Sequence, residues 1–221
     1  MRLAIKIGGS IAVGDRGPKQ DYLQSFLSVM SSLELEKLAV GIGGGKLARN
    51  YLVSMGALLS PEQRELVVIE LLRANTRMLS ILLRARAIFT EEDLLDVSRD
   101  TEERAFVIGG ISPGRSTDAN TSLLAEAMGA DLFIKLTDVD GVYTADPDED
   151  EKAELIKRMT FEELTALSIE GSPGSYGILD RTAISVLSRS GIPVRIVNGR
   201  DPEIIRELLD GEDLGTLITG P

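Results

Sequence analysis

Three short segments of this chain end an apolar run on glycines: Lys6-Ile7-Gly8-Gly9-Ser10, Ile42-Gly43-Gly44-Gly45-Lys46 and Ile108-Gly109-Gly110. Glycine permits positive φ and lets main chain approach a ligand with no Cβ in the way. The second and third segments lead promptly into helical patterns. Their amides therefore lie at helix N-termini, where N–H groups and the helix dipole attract an anion. Three such turns beyond the carboxyl ends of parallel strands would cradle several phosphates. The bland alternative is a tight strand-to-helix turn with no ligand. It fits any one of the segments alone and fits all three together poorly.

Missing residue types narrow the chemistry. The 221 residues include no His and no Cys, which excludes a Ser-His-Asp triad, an imidazole base, a thiolate nucleophile and a cysteine zinc site. Asp, Glu, Lys, Arg, backbone amides and a hard metal ion remain. Phosphoryl transfer suits that set, because it needs positioning and charge stabilisation more than a strong base. A net charge of −11 leaves no basic stripe for a nucleic acid, while 24 Lys and Arg suffice to hold one small anion. The composition, 43% hydrophobic and 27% charged, is that of an ordinary globular protein. No apolar run approaches the ~20 residues of a membrane span, and the apolar stretch after Met1 is too short for a signal peptide. The expected setting is cytoplasmic, with neither membrane nor nucleic acid as partner.

Alternating strands and helices must position these turns. Leu3, Ile5 and Ile7 alternate in a first strand, and Tyr22, Leu23, Phe26, Leu27, Met30 and Leu33 follow at helical spacing. Strands are expected at Leu38 to Ile42, Ala105 to Ile108, Asp131 to Leu136, Val194 to Val197 and Thr216 to Ile218. Helices are expected from Lys46 to about Met55, from Pro61 to about Leu83, from Thr117 to Met128, from about Asp180 to Arg189, and after Asp201-Pro202. Ser60-Pro61-Glu62-Gln63 reads as a capping box with Pro at the first helical position, and Thr160-Phe161-Glu162-Glu163 as a second box. Thr137 to Pro147 reads as a loop, and Gly171 to Gly177, rich in Gly, Ser and Pro, as a mobile one. The alternation predicts an α/β fold: three layers, with a central, mostly parallel sheet covered by helices on both faces.

Two familiar patterns fail on inspection. Gly43-Gly44-Gly45-Lys46-Leu47-Ala48 has dinucleotide-fingerprint spacing, but the acidic residues about 20 positions on, Glu62 and Glu65, fall inside a predicted helix. Gly109-Gly110-Ile111-Ser112-Pro113-Gly114-Arg115-Ser116 has P-loop spacing with Arg in place of Lys, and Pro113 offers no N–H.

Lys6-Ile7-Gly8-Gly9-Ser10 resembles the N-terminal signature of the amino acid kinase superfamily. The stretch Thr137-Asp138-Val139-Asp140-Gly141-Val142-Tyr143-Thr144-Ala145-Asp146-Pro147 resembles its nucleotide-binding segment. Within the superfamily, Gly43 to Arg49, the helix with Arg73 and Asn75, Pro113 to Asp118 and the tail Asp213 to Ile218 are similar to uridylate kinases of the archaeal type. The resemblance implies one domain over 1–221, with an acceptor half at about 1–130 and an ATP half at about 131–221. It also implies ATP with Mg²⁺ as phosphoryl donor, UMP as acceptor, and a homo-oligomer, a hexamer by that likeness.

Residue roles follow from the same resemblance. Lys6 would neutralise charge on the transferring phosphoryl group, and Gly8, Gly9 and Ser10 would donate to the ATP phosphates. Thr137, Asp138, Tyr143 and Asp146 would line the adenosine site. Asp118 would orient the cations rather than act as a base, and no protein side chain is assigned to a metal. Gly44, Gly45 and Arg49 would hold the acceptor phosphate, Arg49 in a bidentate grip. Ser116 and Thr117 would add donors there, and Glu65 would stand near the acceptor's uracil or ribose. The chain departs from the archaeal pattern on the acceptor side. Arg115-Ser116-Thr117-Asp118 replaces His-Thr-Thr-Asp, and Val68 and Leu72 replace Gly and Thr. Lys6, often lacking in the archaeal branch, is present. Alternatives are a kinase for another small acid or phosphate, such as an acetylglutamate-like acid or an alkyl phosphate, and a non-catalytic nucleotide-binding protein.

Overall fold

Short runs of Val, Ile, Leu and Phe, each buried on both faces, set the frame of this protein. The computed structural model describes residues 1–147, 150–170 and 178–220. In chain order the elements begin with β1 (Arg2–Ile7), α1 (Gly9–Ala12), β2 (Val13–Gly14), β3 (Gly17–Pro18), α2 (Gln20–Ser32) and β4 (Lys37–Ile42). Then come α3 (Gly45–Ser54), α4 (Pro61–Leu83), β5 (Arg86–Ile88), α5 (Glu91–Asp96), β6 (Ala105–Ile108), α6 (Thr117–Met128) and β7 (Leu132–Thr137). The chain closes with β8 (Arg158–Thr160), α7 (Phe161–Glu170), α8 (Arg181–Ser190), β9 (Val194–Asn198), α9 (Ile204–Leu209) and β10 (Thr216–Thr219).

Eight strands form one sheet in the order β5-β6-β4-β1-β7-β9-β10-β8, parallel throughout except at the antiparallel β9–β10 pair. The predicted mostly parallel three-layer sheet is the observed one. On one face Leu3, Ile5 and Ile7 of β1 pack with Leu23 and Phe26 of α2, Leu79 of α4 and Ile205 of α9. On the other, Ala4, Phe106 and Phe133 pack with Leu94 of α5, Leu124 of α6, Leu164 of α7 and Leu187 of α8. Each fully buried Leu, Ile or Phe contributes about 1.5–3 kcal/mol. The two layers of helices thus cover both faces, and the pairing of β1 with β7 joins the anticipated acceptor and ATP halves in a single sheet.

The caps behave as their residues dictate. Ser60 and Gln63 exchange hydrogen bonds at the start of α4, with Pro61 at the first helical position. Thr160 and Glu163 do the same before α7. α9 begins at Ile204, after a turn through Asp201-Pro202. Several elements escaped the sequence reading. β5 has three residues and β8 three, too few to show a period. α5 is opened by a capping box of Thr90 and Asp93, a signal that was legible and was passed over. The loop expected at Gly171 to Gly177 lies outside the described residues.

Candidate active site

Parallel register fixes which residues share the mouth of the sheet. Lys6 of β1 lies beside Gly41 of β4 on one side and Lys135 of β7 on the other. Adjacent residues of parallel strands in register present their side chains to the same face, here the face covered by α6. Gly41 is what lets that helix close down. A Cβ built at Gly41 would sit 1.8 Å from Thr121 Oγ1 and 2.8 Å from Thr121 Cβ. Thr121 of α6 therefore rests on bare main chain, and Asp118, one turn earlier, reaches the lysine pair.

Just beyond the strand ends the first two glycine turns meet. A Cβ on Gly9 would lie 2.5 Å from Gly45 N and 2.8 Å from Gly45 Cα, and one on Gly45 would lie 2.3 Å from Val13 O. Gly45 also has φ +61, a left-handed conformation. Only glycine allows this backbone-to-backbone contact. The result is one cavity of about 420 Å³, walled by both turns together with Lys6, Arg49, Asp118, Lys135, Thr137 and Asp138.

Charge is concentrated at its floor. Asp118 Oδ1 lies 3.5 Å from Lys6 Nζ and 3.1 Å from Lys135 Nζ. Lys6 and Lys135 are 7% and 3% exposed, so each ammonium has left bulk water and must be matched by an opposite charge or by hydrogen-bond acceptors. Lys135 Nζ also donates to the Ile178 carbonyl. Burial alone would raise the Asp118 carboxyl, but the Lys6 and Lys135 ammoniums together outweigh it and hold the group below its ordinary value. Burial lowers Lys135 to about 8, an effect opposed by Asp118 and reinforced by the like charge of Lys6. Asp118 is thus a fixed anion between two cations and is unsuited to proton transfer near neutral pH. The floor keeps one net positive charge, the arrangement that stabilises charge growing on a phosphoryl group.

Lys135 was missed in the sequence reading. It interrupts the apolar run Leu132-Phe133-Ile134-Lys135-Leu136, and a lysine inside a strand buried on both faces needs a partner. That signal was available.

The other candidate residues divide among three places. Gly8, Gly9, Ser10, Gly44, Gly45, Arg49, Thr137 and Asp138 line the cavity with Lys6 and Asp118. Ser10 Oγ donates to Asp138 Oδ2 at 3.2 Å, tying α1 to the end of β7. Thr117 adjoins Gly43, whose Cβ would come 4.0 Å from Thr117 Oγ1. Ser116 caps α6 by accepting Ala119 N–H at 3.0 Å, and its hydroxyl donates to Asp180. Ser116 and Glu65 line a second cavity, about 320 Å³, whose walls include Leu52, Val68, Ile69 and Leu72. Glu65 Oε2 there accepts Gly114 N–H at 2.8 Å, and Arg115 pairs with Glu91 at 2.7 Å.

Tyr143 and Asp146 stand off the first cavity, on the segment that follows β7. The Tyr143 hydroxyl donates to Asp140 Oδ2 at 3.2 Å, while Asp140 Oδ1 accepts from Asn198 at 2.9 Å. Burial raises the Tyr143 hydroxyl, and the Asp140 carboxylate raises it further. Asp146 accepts Asp150 N–H at its carbonyl, 2.8 Å away. The third glycine turn does not reach the cavity wall either. A Cβ on Gly109 would lie 2.4 Å from Thr76 Oγ1, and one on Gly110 would lie 2.9 Å from Leu72 Cδ1. That turn is spent on seating α4 against the sheet, so two turns form the cradle where three were expected.

A mostly parallel α/β sheet whose strand ends hold two ammoniums, one carboxylate and facing glycine turns defines a phosphoryl-transfer class of protein. The chain belongs to the amino acid kinase family, whose model matches residues 1–198. It is 42% identical over 191 residues to a uridylate kinase of Hyperthermus butylicus, covering 83% of each chain. A uridylate kinase of Methanobrevibacter smithii is 35% identical over 227 aligned positions, covering 99% of both. Among solved structures, the uridylate kinase of Archaeoglobus fulgidus superposes with a TM-score of 0.84 at 31% identity, covering 99% of this chain and 100% of that one.

Proposed function

We propose that this protein is an ATP-dependent kinase that transfers the γ-phosphoryl group of ATP to UMP, yielding ADP and UDP. One observation carries the reading: Lys6, Lys135 and Asp118 share a cavity with the glycine turns of β1 and β4. Family membership and the uridylate kinases it resembles supply the donor and the acceptor. In this reading Gly9 and Ser10 hold the ATP phosphates, while Gly44, Gly45 and Arg49 hold the phosphate of UMP. A UMP phosphate oxygen forms the new bond to Pγ as the Pγ–O bond to ADP breaks. That oxygen is already anionic, so no base is required, in keeping with the ion-paired Asp118. Lys6 and Lys135 offset the charge spreading over the equatorial oxygens. Tyr143 and Asp146 belong to the adenosine side, Ser116 and Thr117 to the acceptor side.

Mg²⁺ enters this scheme as part of the MgATP substrate. Asp118 is engaged by two lysines, and no group of three or more acidic residues that could hold a metal occurs among the described residues. Phosphate oxygens and water are the expected ligands, with Asp138 the remaining carboxylate on the cavity wall. Bound there, the ion would neutralise β- and γ-phosphate charge. The exposed apolar side chains Val53, Leu58 and Leu66 suit a homo-oligomeric contact. No helix among the described residues is long and apolar enough to cross a membrane.

A second acceptor class is favoured by one feature. Leu52, Val68, Ile69 and Leu72 give the second cavity mainly aliphatic walls, which would accept a phosphate with an apolar body. An ADP-release assay with MgATP and a panel of UMP, CMP, acetylglutamate and small alkyl phosphates separates the two. UMP should give the highest kcat/KM. Turnover with an alkyl phosphate and none with UMP would replace the first reading by the second.

A further inference from the structure

We propose that Asn75 is a positioning residue that aims the Gly44 N–H at the acceptor's phosphate. The inference rests on the assignment of the Gly44–Gly45 turn to that phosphate. Asn75 is a buried polar residue in the middle of α4, 7% exposed, and its Nδ2 donates to Gly43 O at 3.2 Å. The residue stands behind the cradle and is not part of the cavity wall, whereas Gly43, Gly44 and Gly45 are.

Peptide geometry turns this contact into a statement about the cavity. The Gly43–Gly44 bond is trans, as there is no cis peptide among the described residues. In a planar trans peptide the C=O and N–H point in opposite directions. Drawing Gly43 O back toward α4 therefore sends Gly44 N–H forward into the cavity. Gly44 has φ −83 and ψ −15, and Gly45 has φ +61. Right-handed then left-handed residues in succession make a nest, in which consecutive N–H groups converge on one anion. Its two glycines have wide conformational freedom in the absence of a restraint. The close contact of Gly9 with Gly45 restrains one end of the nest, and Asn75 restrains the other.

A peptide freed at Gly43 can rotate and present its carbonyl to the phosphate in place of its N–H. One oriented donor to a charged group corresponds to a change in affinity of about 10- to 100-fold. Asn75→Asp keeps the shape and replaces the donor with a carboxylate facing a carbonyl. Asn75→Ala removes the donor altogether. In steady-state kinetics with MgATP, both should raise the KM for UMP at least about tenfold, with kcat and the ATP KM changed less than about threefold.

A purely structural role would give a different pattern. Thr76, the next residue, is also buried, and its Oγ1 donates to Leu72 O at 2.9 Å within α4. Thr76→Val should lower Tm and leave the UMP KM unchanged. If it raises that KM as the Asn75 variants do, or if the Asn75 variants lose Tm with an unchanged KM, the positioning role is refuted.

Amide spectra of ¹⁵N-glycine-labelled protein give a readout independent of turnover. UMP should shift the Gly44 resonance in the native chain and leave it nearly still in Asn75→Asp. If Asn75→Asp does not fold, Asn75→Ser, with a shorter donor, is expected to fall between the native chain and Asn75→Ala. A native chain that does not turn over UMP, yet shifts Gly44 with inorganic phosphate in an Asn75-dependent way, would overturn the assignment of UMP and keep Asn75's role. An unmoved Gly44 with both ligands would overturn the role itself.

Discussion

Gly41→Ala should damage the active site from a position that touches no substrate. The added methyl would sit 1.8 Å from Thr121 Oγ1 and 2.8 Å from both Thr121 Cβ and Cγ2. Ordinary contacts begin near 3.5 Å. Thr121 is fully buried, and its hydroxyl is committed to Thr117 O at 2.6 Å, so rotating it away breaks a bond at the start of α6. The helix must instead lift from β4 by about 1.5 Å to bring that contact into a tolerable range. Overpacking of this kind costs about 1–3 kcal/mol, and in a chain of this length each kcal/mol lowers Tm by about 2–4 °C. The same lift draws Asp118 away from Lys6 and Lys135. A misplacement of about 1 Å at a reacting centre reduces rate on the order of 100-fold. The assay is ADP release at saturating MgATP and UMP, alongside thermal unfolding. Thr121→Ala in the Gly41→Ala background removes Oγ1 and Cγ2, leaving only the 2.8 Å Cβ contact, so partial recovery of both Tm and kcat is expected. A single variant with native Tm and rate would refute the reasoning. So would a double variant no better than the single one, since the two substitutions would then be uncoupled.

Three further outcomes are expected. Lys6→Ala should lower kcat about 10²- to 10³-fold, the range for losing one preorganised donor, with ATP affinity by calorimetry within a few-fold of native; an unchanged kcat removes Lys6 from the mechanism. Lys135, lowered from 10.5 to about 8, binds fewer protons folded than unfolded across that window. Its contribution to stability therefore rises as pH increases from about 8 to 10.5, by about 3 kcal/mol at most; urea unfolding of native and Lys135→Met chains should show that rise only in the native one. Arg49→Lys replaces a planar fork with a point charge, so the UMP KM should rise about tenfold with kcat nearly kept; a kcat loss with unchanged KM would place Arg49 elsewhere in the reaction.

Much of this protein was legible because local signals coincide with global ones. The strands of β1, β4, β6 and β7 are apolar runs ended by glycine or a polar turn, and the α4 start carries a full capping box. Gly8-Gly9-Ser10 and Gly43-Gly44-Gly45 stood out because glycines at a strand end leave main-chain amides open to an anion. The absence of His and Cys confined the chemistry to lysine, carboxylate and amide before any fold was known. These are properties of composition and short range, and short range is what a linear reading resolves.

The tertiary structure decided the rest, because the decisive relations are distances between remote segments. Lys6 and Lys135 become a pair only through the β1–β7 register, and Asp118 joins them only because Gly41 lets α6 descend. Nothing in the spacing of Gly109-Gly110 distinguishes it from the two turns that face the cavity; it is turned away because Thr76 and Leu72 of α4 occupy the space above it. The chain alone names the groups able to carry a phosphoryl transfer. Strand register and helix contact determine which of them converge, since burial lets a charge persist only where its partner is brought within a few ångströms.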